Sequence, residues 1–165
     1  MTDALWGKHV LTNAQIRRAL QQTAWPEPYV DHREIRAASV LIPFFKEHGQ
    51  WHLLYIRRTD TVALHKGQVA FPGGAAEEGD ASPVATALRE TSEEVGISPA
   101  DVQVIGQMGQ MLTITDFLIT PVVGVIPWPY KITLQQNEVV RAFSIPLAWL
   151  SEPRNHQIRM HNLMG

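Results

Sequence analysis

The chain has 165 residues, of which 45% are hydrophobic and 18% charged, a composition typical of a single globular domain over residues 1–165. Its formal net charge of −2 excludes the surplus of Lys and Arg with which a nucleic-acid-binding protein neutralises backbone phosphates. Cysteine is absent, which excludes disulfides, thiolate metal ligands and thiol nucleophiles together. We therefore expect no nucleic-acid partner, and any metal must bind to oxygen or imidazole.

The first residues carry no sign of a targeting segment. Asp3 is acidic, and no basic stretch leads into an apolar run, so the N-terminus does not have the pattern of a secretory signal. No stretch approaches the roughly 20 apolar residues that a spanning helix needs. The sequence therefore predicts a cytoplasmic protein with no membrane partner.

A first helix is predicted at residues 13–23, inside an N-terminal helical extension, 1–34. It begins at a capping-box pair, Thr12 and Gln15, in which each side chain can bond the other residue's backbone. An apolar stripe at helical spacing follows: Ile16, Ala19 and Leu20.

Two apolar runs then predict a β-hairpin. Residues 37–45 and 51–56 are strand-like, and the polar stretch 46–50 between them is typical of a turn. After a further loop, residues 68–74 predict a short strand that Pro72 and two glycines interrupt.

A central helix is predicted between Ser82 and Gly96. Pro83 suits the first helical position, where its missing N–H costs nothing, and Gly96 is a typical stop. Residues at three- and four-residue spacing form one core-facing stripe: Val84, Ala87, Leu88, Thr91 and Val95.

The rest of the chain predicts mainly strands. The strand-like runs are residues 102–108, 117–127 and 139–147, and a short helical turn is predicted at 146–150. Strands around one long central helix indicate an α+β or α/β layered domain.

Three acids crowd the end of the central helix. Glu90, Glu93 and Glu94 fall within roughly a 100° arc, away from the apolar stripe. They repel one another, and the helix dipole disfavours negative charge at that end by roughly 0.3–1 kcal/mol each. A hard divalent cation would remove this cost, so the cluster predicts a metal platform. The alternative is a solvated acidic face with no ligand.

Neighbouring residues fit the same hypothesis. Arg89 can pair with Glu93 four residues later, or with an acid elsewhere, and so orient a metal-binding carboxylate. Gly73 and Gly74 allow the backbone to approach a metal or a phosphate closely.

The segment Phe71–Ile97, FPGGAAEEGDASPVATALRETSEEVGI, resembles the Nudix box, G-x5-E-x7-R-E-U-x-E-E-x-G-U with U aliphatic. The matching residues are Arg89, Glu90, Glu93, Glu94 and Gly96. The box glutamate falls on Asp80, with eight rather than seven residues before Arg89, and Thr91 takes an aliphatic position. Asp80 could instead help Ser82 to cap the helix.

The resemblance implies an α+β fold, an α/β/α sandwich with a mixed sheet between helices. It also implies Mg²⁺ or Mn²⁺ held by Glu90, Glu93 and Glu94 and by a backbone carbonyl at Gly74, with Glu90, Arg89 and Glu93 as catalytic residues. Relatives usually continue into a further strand and a long closing helix. We therefore expect a short or missing C-terminal helix, from a truncated chain, a homodimer partner that covers the gap, or a degraded copy.

A second segment, Leu53–Gly74, resembles the one that precedes the box in coenzyme A diphosphatases, L-L-x-x-R-S-x3-R-x3-G-x3-F-P-G-G. The matching residues are Arg58, Gly67, Phe71, Pro72, Gly73 and Gly74. The second arginine falls on Ala63 and the small residue on Thr59; Arg57 or Lys66 could supply the missing cation. The substrate-binding residues implied are Arg57, Arg58, Phe71 and Gly73, although both arginines could be ordinary surface charges.

The resemblance implies metal-dependent hydrolysis of a diphosphate bond in a small nucleotide substrate. Coenzyme A would give adenosine 3′,5′-bisphosphate and 4′-phosphopantetheine, with Glu90 or Glu138 as general base. Other substrates stay open: ADP-ribose, a dinucleoside polyphosphate or an oxidised nucleoside triphosphate. So does a non-catalytic nucleotide-binding module on the same fold. Isomerase chemistry is disfavoured because it would use a cysteine.

Overall fold

The computed structural model describes residues 11–29, 34–60 and 67–158. Ala63 and Lys66, which bear on the predicted substrate contacts, lie outside these ranges. The helices are α1 (Asn13–Gln22), α2 (Pro83–Val95) and the four-residue α3 (Leu147–Leu150), with 3-10 turns at Pro99–Asp101 and Pro153–Asn155. None of the helices in the described part is both long and apolar enough to cross a membrane.

Eight strands in the described residues form one mixed sheet: β1 (Arg36–Glu47), β2 (Gln50–Arg58), β3 (Val69–Ala70), β4 (Gly73–Ala75), β5 (Gln103–Gln107), β6 (Met111–Leu112), β7 (Phe117–Val125) and β8 (Val139–Pro146). The main order is β3-β2-β1-β7-β5. β1 and β7 are parallel, and the other pairs are antiparallel. β6, which the sequence did not predict, adds two residues beside β7.

The capping signals of both long helices are confirmed. In α1, Gln15 N donates to Thr12 Oγ1 at 3.3 Å, and Thr12 N donates to Gln15 Oε1 at 2.9 Å. In α2, Ala85 N donates to Ser82 Oγ at 3.2 Å, which satisfies one of the free N–H groups of the first turn. Gly96 ends α2 in the left-handed conformation, with φ of 72°.

The first hairpin is also confirmed, but β1 changes its neighbour along its length. Phe44 to Glu47 pair with β2, whereas Ala38 to Val40 pair with β4. The predicted strand 68–74 is therefore two strands, β3 on β2 and β4 on β1, because Pro72 has no N–H to continue one ladder. β1 and β2 consequently part, and a gap opens between them.

Helices cover both faces of the sheet, which confirms the predicted sandwich. On one face α2 buries Ala87 and Val95 against strand residues including Leu41, Ile56 and Val122. On the other face α1 buries Ile16 in a cluster with Trp51, Ile105 and Val123, which α3 joins through Leu147. Strand side chains alternate between these two layers.

Candidate active site

A cleft of about 610 Å³ opens where β1 and β2 part. Fourteen residues line it: Ala38, Val40, Arg58, Gln68, Ala70, Phe71, Gly73, Gly74, Ala75, Glu90, Glu94, Phe117, Ile119 and Glu138. The carboxylates come from α2 and from the loop before β8, whereas most of the apolar wall comes from β1 and β7. The cleft therefore joins an anionic floor to an apolar wall.

The cleft has walls from both faces of the sheet. Along β1, Leu41 faces α2, so by alternation Val40 belongs to the opposite face, as Ile119 does on β7. Glu90 and Glu94 reach the cleft from α2. The gap between β1 and β2 is what brings these two sets of residues together.

Glu94 is the most buried acid of the cleft, with 1% of its surface exposed. Its Oε2 accepts from Gly73 N at 2.9 Å, and its Oε1 accepts from Arg58 Nη1 at 2.9 Å. Burial raises the pKa of Glu94 to about 7, although the bonds from Gly73 and Arg58 favour the charged form. An additional cation would stabilise the carboxylate.

Glu90 lies directly against the backbone of Gly74. A Cβ added at Gly74 would lie 2.5 Å from the Glu90 carboxyl carbon, so glycine is what permits this approach. Burial is the largest cause that raises the pKa of Glu90, and Arg89 opposes it. Two carboxylates with raised pKa values, at a glycine-lined cleft, form a group of the kind found at functional sites.

Arg89 connects the acids around the helix. Its Nη1 donates to Glu90 Oε1 at 3.1 Å and to Glu93 Oε2 at 3.2 Å, and its Nη2 donates to Asp80 Oδ2 at 3.0 Å. Both partners that the sequence allowed, Glu93 and an acid elsewhere, are therefore used. Hydrogen bonds from Arg89 lower the pKa of Asp80 well below its usual range.

The three box glutamates do not share one environment, which corrects the expectation that all face away from the apolar stripe. Glu94 is buried, the Glu90 side chain is 16% exposed, and the Glu93 side chain is 57% exposed. Glu93 pairs with Arg89 and does not line the cleft. The difference arises because α2 lies on the sheet, so positions one residue apart point to different surroundings.

Arg58 and Arg57, both predicted to bind substrate, are separated by strand alternation. Arg58 lines the cleft and pairs with Glu94, and its Nη2 lies 3.8 Å from Glu138 Oε2. Arg57 is not among the cleft residues; it lies opposite Val69 and Arg141 in the sheet. Arg58 is therefore in the cleft, and Arg57 belongs to the other face of β2.

Phe71, Gly73, Gly74 and Glu138, each singled out in the sequence, meet in the cleft. The apolar wall had not been predicted: Ala38, Val40, Phe117 and Ile119. In the sequence these residues are ordinary strand positions, and none of them belongs to a recognised motif. Only the pairing of β1 with β7 and β4 places them beside the glutamates.

The donor set fits a hard divalent cation. The carboxylates of Glu90, Glu94 and Glu138 offer oxygen atoms, the ligands that Mg²⁺ or Mn²⁺ prefers. Within residues 11–29, 34–60 and 67–158, no three Asp, Glu or His side chains are gathered closely enough to enclose an ion by themselves. An open site of this kind leaves positions for water and substrate phosphate.

A family model and named relatives both relate the chain to Nudix proteins. The NUDIX domain family model matches residues 35–163. A Klebsiella pneumoniae protein with the name Uncharacterized Nudix hydrolase NudL is 42% identical over 137 residues, 82% of this chain and 71% of that protein. Its Escherichia coli K12 namesake is 45% identical over 113 residues, 68% of this chain and 58% of that protein. The chain thus spans between 58 and 71% of the length of these two relatives.

Solved structures share the fold. A C. elegans Ap4A hydrolase in a binary complex has a TM-score of 0.59 at 16% identity, over 69% of this chain and 82% of that chain. The NUDIX domain of Shewanella oneidensis NrtR, complexed with ADP ribose, has a TM-score of 0.54 at 19% identity, over 72% and 77% of the two chains. At these identities the likeness concerns the fold alone.

The fold, the Nudix box and the named relatives together show that the protein is a pyrophosphohydrolase. Such an enzyme cleaves a diphosphate bond in a nucleoside-diphosphate-linked substrate. The chain belongs to the Nudix hydrolase family. Members of this family generally need divalent metal ions.

Proposed function

We propose that the substrate is coenzyme A or an acyl-coenzyme A, hydrolysed to adenosine 3′,5′-bisphosphate and a 4′-phosphopantetheine. One observation carries the proposal. Four of the six residues that match the coenzyme A diphosphatase segment, Arg58, Phe71, Gly73 and Gly74, line the same cleft as Glu90 and Glu94. A shared cleft is what a substrate-selecting segment needs in order to act on the group that is cleaved.

The proposed metal ligands are the carboxylates of Glu90, Glu93 and Glu94 and the backbone carbonyl of Gly74. A bound Mg²⁺ or Mn²⁺ supplies charge neutralisation for the diphosphate and makes a water more acidic. The burial of Glu94 and the close approach of Gly74 to Glu90 support this assignment. Glu93, on the solvent side of the helix, is the outermost of the proposed ligands.

We propose Glu138 as the general base rather than Glu90. The Glu138 side chain is 47% exposed at the cleft rim, so water can reach it. Glu90 is less suited because Arg89 occupies its Oε1 and Gly74 lies against its carboxyl group. In the reaction the water oxygen bonds to phosphorus, its proton passes to the Glu138 carboxylate, and the bridging P–O bond breaks.

Two arginines have different proposed tasks. Arg58 lies between Glu94 and Glu138, where its guanidinium can bind a phosphate oxygen and hold both acids in place. Arg89 does not line the cleft, so it is a positioning residue that acts through Glu90 and Glu93. Phe71 and the apolar wall would contact the uncharged parts of the substrate.

We further propose that residues 1–165 form one domain, in which 1–34 is an N-terminal extension. Contacts of α1 with the sheet support this. Asn13 Nδ2 donates to Gln103 Oε1 at 2.8 Å, Trp51 Nε1 donates to Leu11 O at 2.6 Å, and Ile16 is buried.

The test is product analysis by mass spectrometry after incubation with Mg²⁺ or Mn²⁺. The panel contains coenzyme A, ADP-ribose, diadenosine polyphosphates and nucleoside triphosphates. We expect adenosine 3′,5′-bisphosphate from coenzyme A only when metal is present, and none from a Glu94→Gln variant. Cleavage of another panel member in preference to coenzyme A would overturn the substrate assignment and leave the Nudix chemistry standing.

A further inference from the structure

Two arginines face each other on adjacent strands. Arg57 of β2 and Arg141 of β8 are directly opposite in the antiparallel register. Like charges in this arrangement destabilise a sheet. No carboxylate in the described part of the chain forms an ion pair with either guanidinium, although Asp60 lies close to Arg57 beside Gly67. A bound anion would relieve the repulsion.

A row of aromatic rings leads from this pair to the cleft. The Arg141 guanidinium lies 4.9 Å from the centre of the Phe143 ring. Phe143 stacks on Tyr55 at 6.0 Å between centroids, and Tyr55 stacks on Phe71 at 4.6 Å. Phe71 lines the cleft. Flat rings in series beside cations suit a ligand that joins a planar base to a phosphate.

The cation pair lies on the face of the sheet to which the cleft opens. On β2, Trp51 packs in the α1 layer, so Tyr55 and Arg57 belong to that face by alternation. The cleft reaches the same face through the gap between β1 and β2. Arg141 is exposed, so a ligand on this face can reach its guanidinium. A ligand in the cleft can therefore extend along this face.

We infer that Arg57 and Arg141 form a subsite for a phosphate monoester that the substrate carries apart from its scissile diphosphate. This rests on the proposed function, in which that monoester is the 3′-phosphate of the adenosine half. Two guanidinium groups offer paired donors and two positive charges, which match the oxygens and charge of a phosphate dianion. Arg57 lies opposite Val69 in the sheet, two residues from Phe71 of the cleft, so one nucleotide can extend from the cleft to the arginine pair.

The experiment compares two probes that differ only in the 3′-phosphate, adenosine 3′,5′-bisphosphate and adenosine 5′-monophosphate. Calorimetry gives the ratio of their dissociation constants with Mg²⁺ present. We expect the wild-type protein to prefer the bisphosphate by roughly tenfold or more, since hydrogen bonds between charged groups give effects of this order. Arg57→Gln with Arg141→Gln should bring the ratio close to one. Arg154→Gln, which removes a cation 81% exposed and paired with Glu152, is the matched control and should keep the wild-type ratio.

Charge reversal gives a second variant that should fold well. Arg57→Glu places a carboxylate opposite Arg141, so the repulsion across the two strands becomes attraction and the variant should fold, while the preference for the bisphosphate is lost. A wild-type ratio near one, or a wild-type ratio retained in Arg57→Glu, would overturn the subsite. Because neither probe is cleaved, the ratio of dissociation constants is independent of coenzyme A turnover. Failure to hydrolyse coenzyme A would contradict the proposed function, whereas the binding ratio would still decide whether the subsite exists.

Discussion

Arg89 and Asp80 form a two-point ion pair: Nε donates to Oδ1 at 3.1 Å and Nη2 donates to Oδ2 at 3.0 Å. These two hydrogen bonds fix the plane of the guanidinium, and Nη1 is left to donate to Glu90 and Glu93. Asp80, at the position of the box glutamate, therefore holds Arg89 in place, although it is one residue further from the arginine than in the motif. Ser82, and not Asp80, caps α2.

Asp80→Asn is expected to lower activity by roughly 10–100-fold, the usual cost of losing a residue that orients metal ligands. Asparagine keeps the shape but removes the charge that holds Arg89. The measurement is turnover across a Mg²⁺ titration, in which the variant should need more metal. Asp101→Asn, at a partner of Tyr130 outside the cleft, is the control. An unchanged Mg²⁺ titration for Asp80→Asn would contradict the positioning role.

The same pair predicts a pH dependence of stability. The pKa of Asp80 is lowered in the folded state from its ordinary 3.8, chiefly by hydrogen bonds from Arg89. The charged form is therefore the stabilising one: its contribution is complete above about pH 4 to 5 and is lost as the pH falls toward the folded-state pKa. In urea unfolding, the difference in free energy between wild type and Asp80→Asn should shrink between about pH 5 and pH 2. A difference that stays constant over this window would show that Asp80 is not held by Arg89.

Substitution of the two glycines of β4 should have two different effects: loss of stability at Gly73 and loss of activity at Gly74. A methyl group at Gly73, where φ is 155°, would meet the backbone oxygen of Ser39 at 2.4 Å, so Gly73→Ala should lower the free energy of unfolding by several kcal/mol, on the order of a severe backbone clash. For a methyl at Gly74, the three nearest atoms would belong to the flexible end of the Glu90 side chain. Gly74→Ala should therefore fold and lose activity. Gly79→Ala, with no atom within 4 Å, should change neither property.

Thermal melting and turnover distinguish these outcomes. If Gly74→Ala retained wild-type activity, Glu90 would not need its observed position against the backbone.

Glu94→Gln is expected to abolish the stabilisation that metal provides. Glutamine can still accept the hydrogen bond from Gly73 but brings no charge to the cation. At a Mg²⁺ concentration a hundred times the dissociation constant, the wild type should gain about 2.7 kcal/mol in unfolding free energy, and the variant almost none. Denaturant unfolding with and without Mg²⁺ measures this. Glu27→Gln, at an exposed acid, is the control; an equal gain in Glu94→Gln would remove Glu94 from the metal site.

Glu138→Gln and Glu90→Gln should affect different kinetic properties, the first kcat and the second the Mg²⁺ requirement. If Glu138 is the base, its loss lowers kcat by roughly 10²–10⁴ while the Mg²⁺ titration stays as in the wild type. Glu90→Gln should instead shift the Mg²⁺ titration to higher concentration. Steady-state kinetics over a Mg²⁺ series decides between them. The reverse pattern would assign the base to Glu90.

Most of the secondary structure could be predicted because its signals are local. The limits of α2 follow from Ser82, Pro83 and Gly96, whose capping and φ preferences act within one helical turn. The hairpin of β1 and β2 follows from two apolar runs and a turn. The β3 and β4 pair was harder, because which strand an interrupted segment joins depends on residues far away in the chain.

The Nudix box could be identified from the sequence for the same reason: Arg89, Glu90, Glu93 and Glu94 occupy fixed positions along one helix. The environment of each was decided only by the tertiary structure. The packing of α2 on the sheet buries Glu94 and leaves Glu93 exposed, alternation along β2 sends Arg57 and Arg58 to opposite faces, and the change of partner along β1 opens the cleft. Spacing along the chain sets which residues share a turn, whereas burial and charge contacts depend on segments that meet only when the sheet has formed.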